Sequence, residues 1–398
     1  MHLKRLSVYF VLLATPLAFQ APFLASASSG TTLVISVDHL DTPNQQFVDG
    51  RAWAYTDFFS RKVSVHQGDI LDFNFALPGH LISVAPDEAA ARAALPLFGT
   101  DADDGTAPGS GAAPIDLAPT ALAAFAAPPA GGCGTAPASV CHFNGTFDPT
   151  MLGPQGSGPD WFVQIDASPG TYHYLCFVHP GMTGTLEVVA GAQPSTTQAQ
   201  VNASGHAQFI SDRAQATDAE AAANVPSFTG GAPGTRTYTS YVGLNAAKNH
   251  VAMFEMLPAH LNLVQGDSVR FVWQFVEAHS VTLPRTNDSP QLFFPDCGPP
   301  DQFFGQPPGS PIPICGDDPS QPEIVLDVGS SPPGTALTAV GTQLDSGILI
   351  GAGYNVPGTV QSWSVSTNGS TAPTASNPYT YHCVIHDWMN ASIDVSTH

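Results

Sequence analysis

Cys176 carries His at +3 and Met at +6 in the run Tyr174-Leu175-Cys176-Phe177-Val178-His179-Pro180-Gly181-Met182. Cys383 carries the same two residues at the same spacing in Tyr381-His382-Cys383-Val384-Ile385-His386-Asp387-Trp388-Met389. With 14 His, 6 Met and 6 Cys in 398 residues, chance would produce two such loops with odds on the order of 10⁻⁶. A thiolate, an imidazole and a thioether on one short loop are donors that suit copper. A blue electron-transfer site takes one Cys sulfur, two His nitrogens and a weak axial Met. Zinc is the rival, but structural zinc takes four Cys or His ligands and makes no use of Met. Each loop supplies three of the four copper ligands, so the chain must fold into two comparable units, each bringing one more imidazole from elsewhere.

That imidazole has a candidate in each half. Arg61 to Phe75 reads RKVSVHQGDILDFNF, two alternating strands around the turn Gln67-Gly68-Asp69, and its end delivers Pro78-Gly79-His80. Leu261 to Phe275 reads LNLVQGDSVRFVWQF around Gln265-Gly266-Asp267 and delivers Ala278-His279. Further strands are expected at Thr31 to Val37, at Asp160 to Ile165 and at Val360 to Val365, the last two leading toward the Cys loops.

In these residues the chain resembles the cupredoxins, and the short Cys-x2-His-x2-Met loop is similar to that of the amicyanin-like and plastocyanin-like group. The resemblance implies an all-β protein of two tandem Greek-key β-sandwich domains with long loop insertions. Carried across residue by residue, it implies metal ligands His80, Cys176, His179 and Met182 in one domain and His279, Cys383, His386 and Met389 in the other, with two type 1 copper ions per chain. It also implies one-electron transfer with a redox partner protein, the loop histidines His179 and His386 serving as electron ports. The His-to-Cys separations, 96 and 104 positions, exceed those of a minimal member of the group. The inserts hold Thr100 to Gly134 and Phe293 to Pro322. In the family an Asn often follows the first His; here Leu81 and Ser280 stand there, so the two coppers are expected to differ in potential.

The expected organisation is a signal peptide over 1–27, domain 1 over 30–190, a linker over 191–200 and domain 2 over 201–398. His2, Lys4 and Arg5 precede an apolar run from Leu6 to Leu24 and the small-residue site Ala25-Ser26-Ala27, the form of a secretory leader. No later stretch is apolar enough to span a membrane. A secreted or periplasmic location follows, where disulfides persist, and Cys133 with Cys141 and Cys297 with Cys315 are the expected pairs. A net charge of −21, from 32 acidic against 11 basic residues, opposes binding to nucleic acid. Asp212 to Asn224 favours a short helix by propensity. Five Asn-x-Ser/Thr sequons occur, at Asn144, Asn202, Asn287, Asn368 and Asn390.

Two-domain proteins similar to this one also include enzymes, multicopper oxidases and copper nitrite reductases, which need further His ligands. His382 directly before Cys383 is one fragment of such a site, while His142, His173, His250 and His260 share no spacing. A carrier is therefore the expected function, with a two-domain copper enzyme or a copper-storage protein as alternatives.

Overall fold

The computed structural model describes residues 30–38, 53–75, 80–96, 98–99, 115–117, 133–153, 160–274, 278–284, 325–326, 331–341, 343–347, 349, 362–370, 378–383, 386 and 388–397. The leader, most of both insertions and the Cys297 and Cys315 pair lie outside these residues.

The architecture is all-β, and it is built twice. One sheet of the first half runs in the order Phe58–Phe59, Thr32–Val37, Ile70–Phe75, Asp160–Ile165 and Cys141–Phe143. The facing sheet runs Lys62–His66, Thr183–Val189, Gly170–Cys176 and Ile82–Ala85. The second half repeats both: Val251–Leu257, Thr237–Ala246, Ser268–Gln274, Ser362–Ser366 and Thr335–Ala336, facing His260–Val264, Asn390–Ser396, Tyr379–His382, Thr282–Leu283 and Leu344–Asp345. The parallel registers agree as well, Thr32 opposite Ile70 in one half and Thr237 opposite Ser268 in the other. Each of the five regions expected to hold strands does so among the described residues; Phe275, Val360 and Gln361 lie outside them.

The two Gln-Gly-Asp turns do more than reverse the chain. Gly68 and Gly266 sit at φ +92° and +100°, where a Cβ is disfavoured. The following Asp is buried and uses its carboxylate as a staple. Asp69 accepts from the Thr31 and His66 amides, both at 2.7 Å, and Asp267 accepts from Gly234 and Arg236, both at 2.8 Å, and from Val264 at 2.9 Å. Each turn thereby ties the strand leading to a candidate His to the neighbouring strand of its sheet.

Between the sheets the same aromatic trio recurs. Phe73 stacks on Trp161 at 5.6 Å and meets Tyr174 edge-on; Phe271 stacks on Trp363 at 5.7 Å and meets Tyr381 edge-on. The Tyr hydroxyls are satisfied, Tyr174 donating to the Ser60 carbonyl at 2.5 Å and Tyr381 sharing a hydrogen bond with Ser240 at 3.1 Å. Gly184 lies opposite Tyr174 in register, and a Cβ there would come within 2.0 Å of the Tyr ring. The disulfide Cys133–Cys141 is formed, holding the approach to the Cys141–Phe143 edge strand.

Two departures from the sequence expectation join the halves. The helix expected over 212–224 spans Gln198–Ala223, so it begins inside the stretch read as linker, where Thr197 and Gln200 form a capping box that starts it. Trp53–Tyr55, from the N-terminal half, adds as an edge strand to Val251–Leu257 of the second half. Trp53 and Tyr55 are buried against Ala216, Ala223, Leu244, Val251 and Met253, so helix and strand share one core with the second sheet. Each buried ring of that size contributes on the order of 4 kcal/mol at about 25 cal/mol per Å².

An ionic cluster closes this junction. The Arg61 guanidinium donates to both oxygens of the fully buried Asp57, at 2.9 and 2.6 Å, and also reaches Asp212 on the long helix. His250 Nδ1 lies 3.4 Å from Asp57. Burial pushes the Asp57 carboxyl up to about 7 even with Arg61 beside it, and pushes the His250 imidazole down to about 4. Removing one partner of a buried pair strands the remaining charge. Arg61→Ala should therefore lower the unfolding free energy by about 3 kcal/mol, read from denaturant midpoints.

The pH dependence of stability has a sign. Burial raises Asp57 and Asp72 to about 7 and Asp345 to about 6, from 3.8. The fold therefore holds protons that the unfolded chain releases near pH 4, and a group with a raised acid pKa loses its contribution as pH climbs through that window. His250, His279 and Cys176, all held below their ordinary values, act in the opposite sense, so the carboxyl contribution is read by difference. In urea titrations Asp72→Asn should lose less stability between pH 5 and pH 8 than the unaltered protein; the same change in both would show the Asp72 carboxyl to be unperturbed.

Candidate metal centres

The Gly170–Cys176 strand alternates, so Tyr174 and Cys176 face the core together while Leu175 faces out under the helix Glu88–Ala94. Cys176 is fully buried at the point where this strand ends and the loop to Thr183–Val189 begins. Two backbone bonds shape that loop: the Cys176 amide donates to the Met182 carbonyl at 2.9 Å, and the Met182 amide to the His179 carbonyl at 3.0 Å. The second loop repeats them, Cys383 to Met389 at 3.0 Å and Met389 to His386 at 2.8 Å. In both halves the loop is a closed turn that points Cys, His and Met inward, with Met182 and Met389 buried.

The remaining histidines arrive where expected. His80 Nδ1 lies 3.7 Å from Cys176 Sγ, and His179 Nδ1 lies 3.5 Å from it. In the other half His279 Nδ1 and His386 Nδ1 lie 3.5 and 3.9 Å from Cys383 Sγ and 2.9 Å from one another. Within each set of two His and one Cys, the ligand atoms all fall within 4.8 Å of one another, and all six side chains are buried. Nδ1 is the nitrogen turned inward in all four rings.

The electrostatics are those of a site prepared for a cation. Burial would raise the Cys176 thiol, but His179 and His80 overturn this and hold it well below its ordinary value, so the sulfur is disposed to be a thiolate. Burial together with His386 holds His279 well below its ordinary value, leaving its ring neutral and able to ligate. Two imidazoles, one thiolate and a buried thioether fit copper: the sulfur ligands suit Cu(I), and the imidazoles suit both oxidation states.

The duplicated β-sandwich and its two donor sets agree with the cupredoxin resemblance read from the sequence. No known family model matches it, and no curated protein matches it in sequence. Among solved structures it is similar to the dithionite-reduced auracyanin of the photosynthetic bacterium Roseiflexus castenholzii, at 17% identity over 41% of this chain and 100% of that one, with a TM-score of 0.21. It is also similar to a Cu-containing nitrite reductase of Thermus scotoductus, at 14% identity, 92% and 68% coverage and a TM-score of 0.22. A blue copper oxidase of Nitrosomonas europaea matches at 12% identity, 92% and 86% coverage and a TM-score of 0.18. At TM-scores this low none of these likenesses carries weight, and the two ligand sets stand on their own geometry.

The surroundings of the two sets differ, and sequence reading missed most of the difference. His80 Nε2 is 2.9 Å from the buried carboxylate of Asp38. Burial lowers His80, but the interactions with Asp38 and Cys176 together outweigh it and raise the ring above its ordinary value. Arg92 donates to the Cys176 carbonyl at 2.8 Å while also pairing with Glu88. In the second set the Ser280 amide reaches Cys383 Sγ at 3.4 Å. The difference expected at this position between Leu81 and Ser280 rested on the Ser hydroxyl; that hydroxyl faces Thr282 Oγ1 at 3.4 Å, and the group at the sulfur is the backbone N–H. Phe254 stands edge-on to His386 at 4.9 Å, and Trp388 beside it is half exposed.

His382, the fragment of a possible third site, is buried, and its strand partner Thr282 lies between it and Asp345 in register. His250 stands at the Asp57 cluster, while His142 and His260 pair with Asp166 and Asp394. Among the described residues these histidines do not converge with one another.

Gly181, between His179 and Met182, has φ +95°, and a Cβ there would approach the Asn249 Cβ to 3.1 Å. Gly181→Ala should therefore disturb the first site alone. In a Cys383→Ser background we expect up to about tenfold weaker copper binding, equivalent to roughly 1.4 kcal/mol of left-handed backbone strain. The same substitution in a Cys176→Ser background should change nothing.

Proposed function

We propose that the protein is an extracytoplasmic electron carrier that holds a type 1 copper ion in each half. The ligands are His80, Cys176, His179 and Met182 in the first half and His279, Cys383, His386 and Met389 in the second. The observation that supports this reading best is the duplication itself: two buried sets with the same donors, the same inward Nδ1 atoms and the same loop hydrogen bonds. Copper bound there supplies one-electron exchange between Cu(I) and Cu(II). The protein's part is to hold the donors still. The Tyr174 and Tyr381 anchors and the closed loops fix the sulfur positions before any metal enters, so little needs to move when charge changes.

Exchange between the halves has a physical path. The strand Val251–Leu257 starts beside Asn249, which packs on Gly181 of the first loop, and carries Phe254 against the His386 ring of the second. Exchange with a redox partner protein would use the second loop, where Trp388 is exposed beside His386. The basic, apolar N-terminal run and the Cys133–Cys141 disulfide support a secreted or periplasmic location. Among the described residues no helix is long and apolar enough to cross a membrane.

Copper analysis with visible and EPR spectra of the oxidised protein tests this reading. Two coppers per chain with intense blue absorption are expected, and Cys176→Ser and Cys383→Ser should each remove one copper and its own part of the absorption. Colourless protein holding only Cu(I) would favour storage. A third copper with an ordinary type 2 signal would favour an enzyme.

A further inference from the structure

The two halves share one parallel register. Thr32 faces Ile70 as Thr237 faces Ser268, and counting forward places Val37 with Val242 and Asp38 with Gly243. Both of the latter have positive φ, +60° at Asp38 and +71° at Gly243, and the second strand shows a register shift against Val251–Leu257 between Val242 and Leu244. The two strands therefore turn to positive φ at the same position, beside the strand that leads to the candidate His. One half puts a carboxylate there, the other puts nothing.

Asp38 is 5% exposed, and its Oδ2 lies 2.9 Å from His80 Nε2. Since Nδ1 of His80 faces Cys176, Nε2 carries the proton and donates it to Asp38. A ligand imidazole bonded in this way to a carboxylate is fixed in one tautomer and orientation and becomes a stronger donor. A stronger donor, with an anion behind it in a buried setting, stabilises the higher oxidation state of a metal it holds. Arg92 works in the opposite sense from the Cys176 carbonyl, but it is paired with Glu88 and partly exposed, so its field is neutralised and screened. At the second set the Ser280 amide draws density from Cys383 Sγ, which favours the lower oxidation state there.

We propose that Asp38 is a positioning residue that makes the first copper the harder of the two to reduce, so that an electron delivered to the protein rests on the second copper. This rests on the reading of both sets as copper sites. The electron is exchanged between the two coppers with no bond made or broken, and the Nε2 proton stays on the His80 side of its hydrogen bond to Asp38.

The test is a spectroelectrochemical titration of the copper-loaded full chain, with each midpoint assigned in Cys176→Ser and Cys383→Ser. The half-reduced protein should carry its electron on the second copper at least tenfold more often, a gap of about 59 mV or more for a one-electron couple. Asp38→Asn keeps a hydrogen-bond acceptor but removes the charge, and it should raise the first midpoint at least halfway toward the second while leaving the second unchanged. Gly243→Asp, made where the backbone already has the required conformation, should lower the second midpoint. Equal midpoints in the unaltered protein, or a first midpoint unmoved by Asp38→Asn with blue absorption intact, would overturn the proposal. If Asp38→Asn does not fold, the Gly243→Asp midpoint decides alone. Failure to take up copper, or to show blue absorption, would instead overturn the copper reading beneath it.

Discussion

A β-strand sends successive side chains to opposite faces, and in this protein that period ties core to chemistry. Tyr174 and Cys176 are two residues apart, as are Tyr381 and Cys383, so each Cys must face the interior wherever its Tyr is anchored. The Tyr rings are locked into aromatic trios with Phe73 and Trp161 or with Phe271 and Trp363, and their hydroxyls are bonded. A slip of one residue would turn the sulfur outward and expel the ring with it. The placement of the thiol is thus enforced by a core contact that involves no metal.

The same economy explains why the fold repeats so closely while the sites do not. Strand order, the Asp staples at the Gln-Gly-Asp turns and the loop hydrogen bonds are shared because they build the sandwich. What differs lies one step out from the ligand atoms: Asp38 against Gly243, Leu175 under a helix against the buried His382, and a loop packed on Asn249 against one with an exposed Trp388. None of these changes disturbs the strands, so the halves are free to diverge there.

Much of this was legible in the chain. The Cys-x2-His-x2-Met loops mark their ligands because few chemistries want those donors at that spacing, and alternation located the strands because each sheet has one buried face. Asp38 was not legible, since a lone Asp after a strand has no local pattern; only the fold brings it to His80, 42 positions away. Its signal was comparative, an Asp in one repeat where the other has Gly. The long helix was underestimated because its buried residues, Val201, Gly205, Asp212, Ala216 and Ala223, are mostly small and widely spaced, which leaves little amphipathic period to read. The crossing of Trp53–Tyr55 into the second sheet was likewise invisible, because a three-residue strand reads the same whichever sheet it joins.

The central claim is that each half binds copper through one cysteine sulfur and two histidine nitrogens. X-ray absorption at the copper edge of the fully loaded protein tests it most directly. One short sulfur neighbour and two imidazole nitrogens per copper are expected, averaged over both sites and retained in each single-Cys variant. Copper surrounded only by nitrogen and oxygen, or by more than one short sulfur, would contradict it.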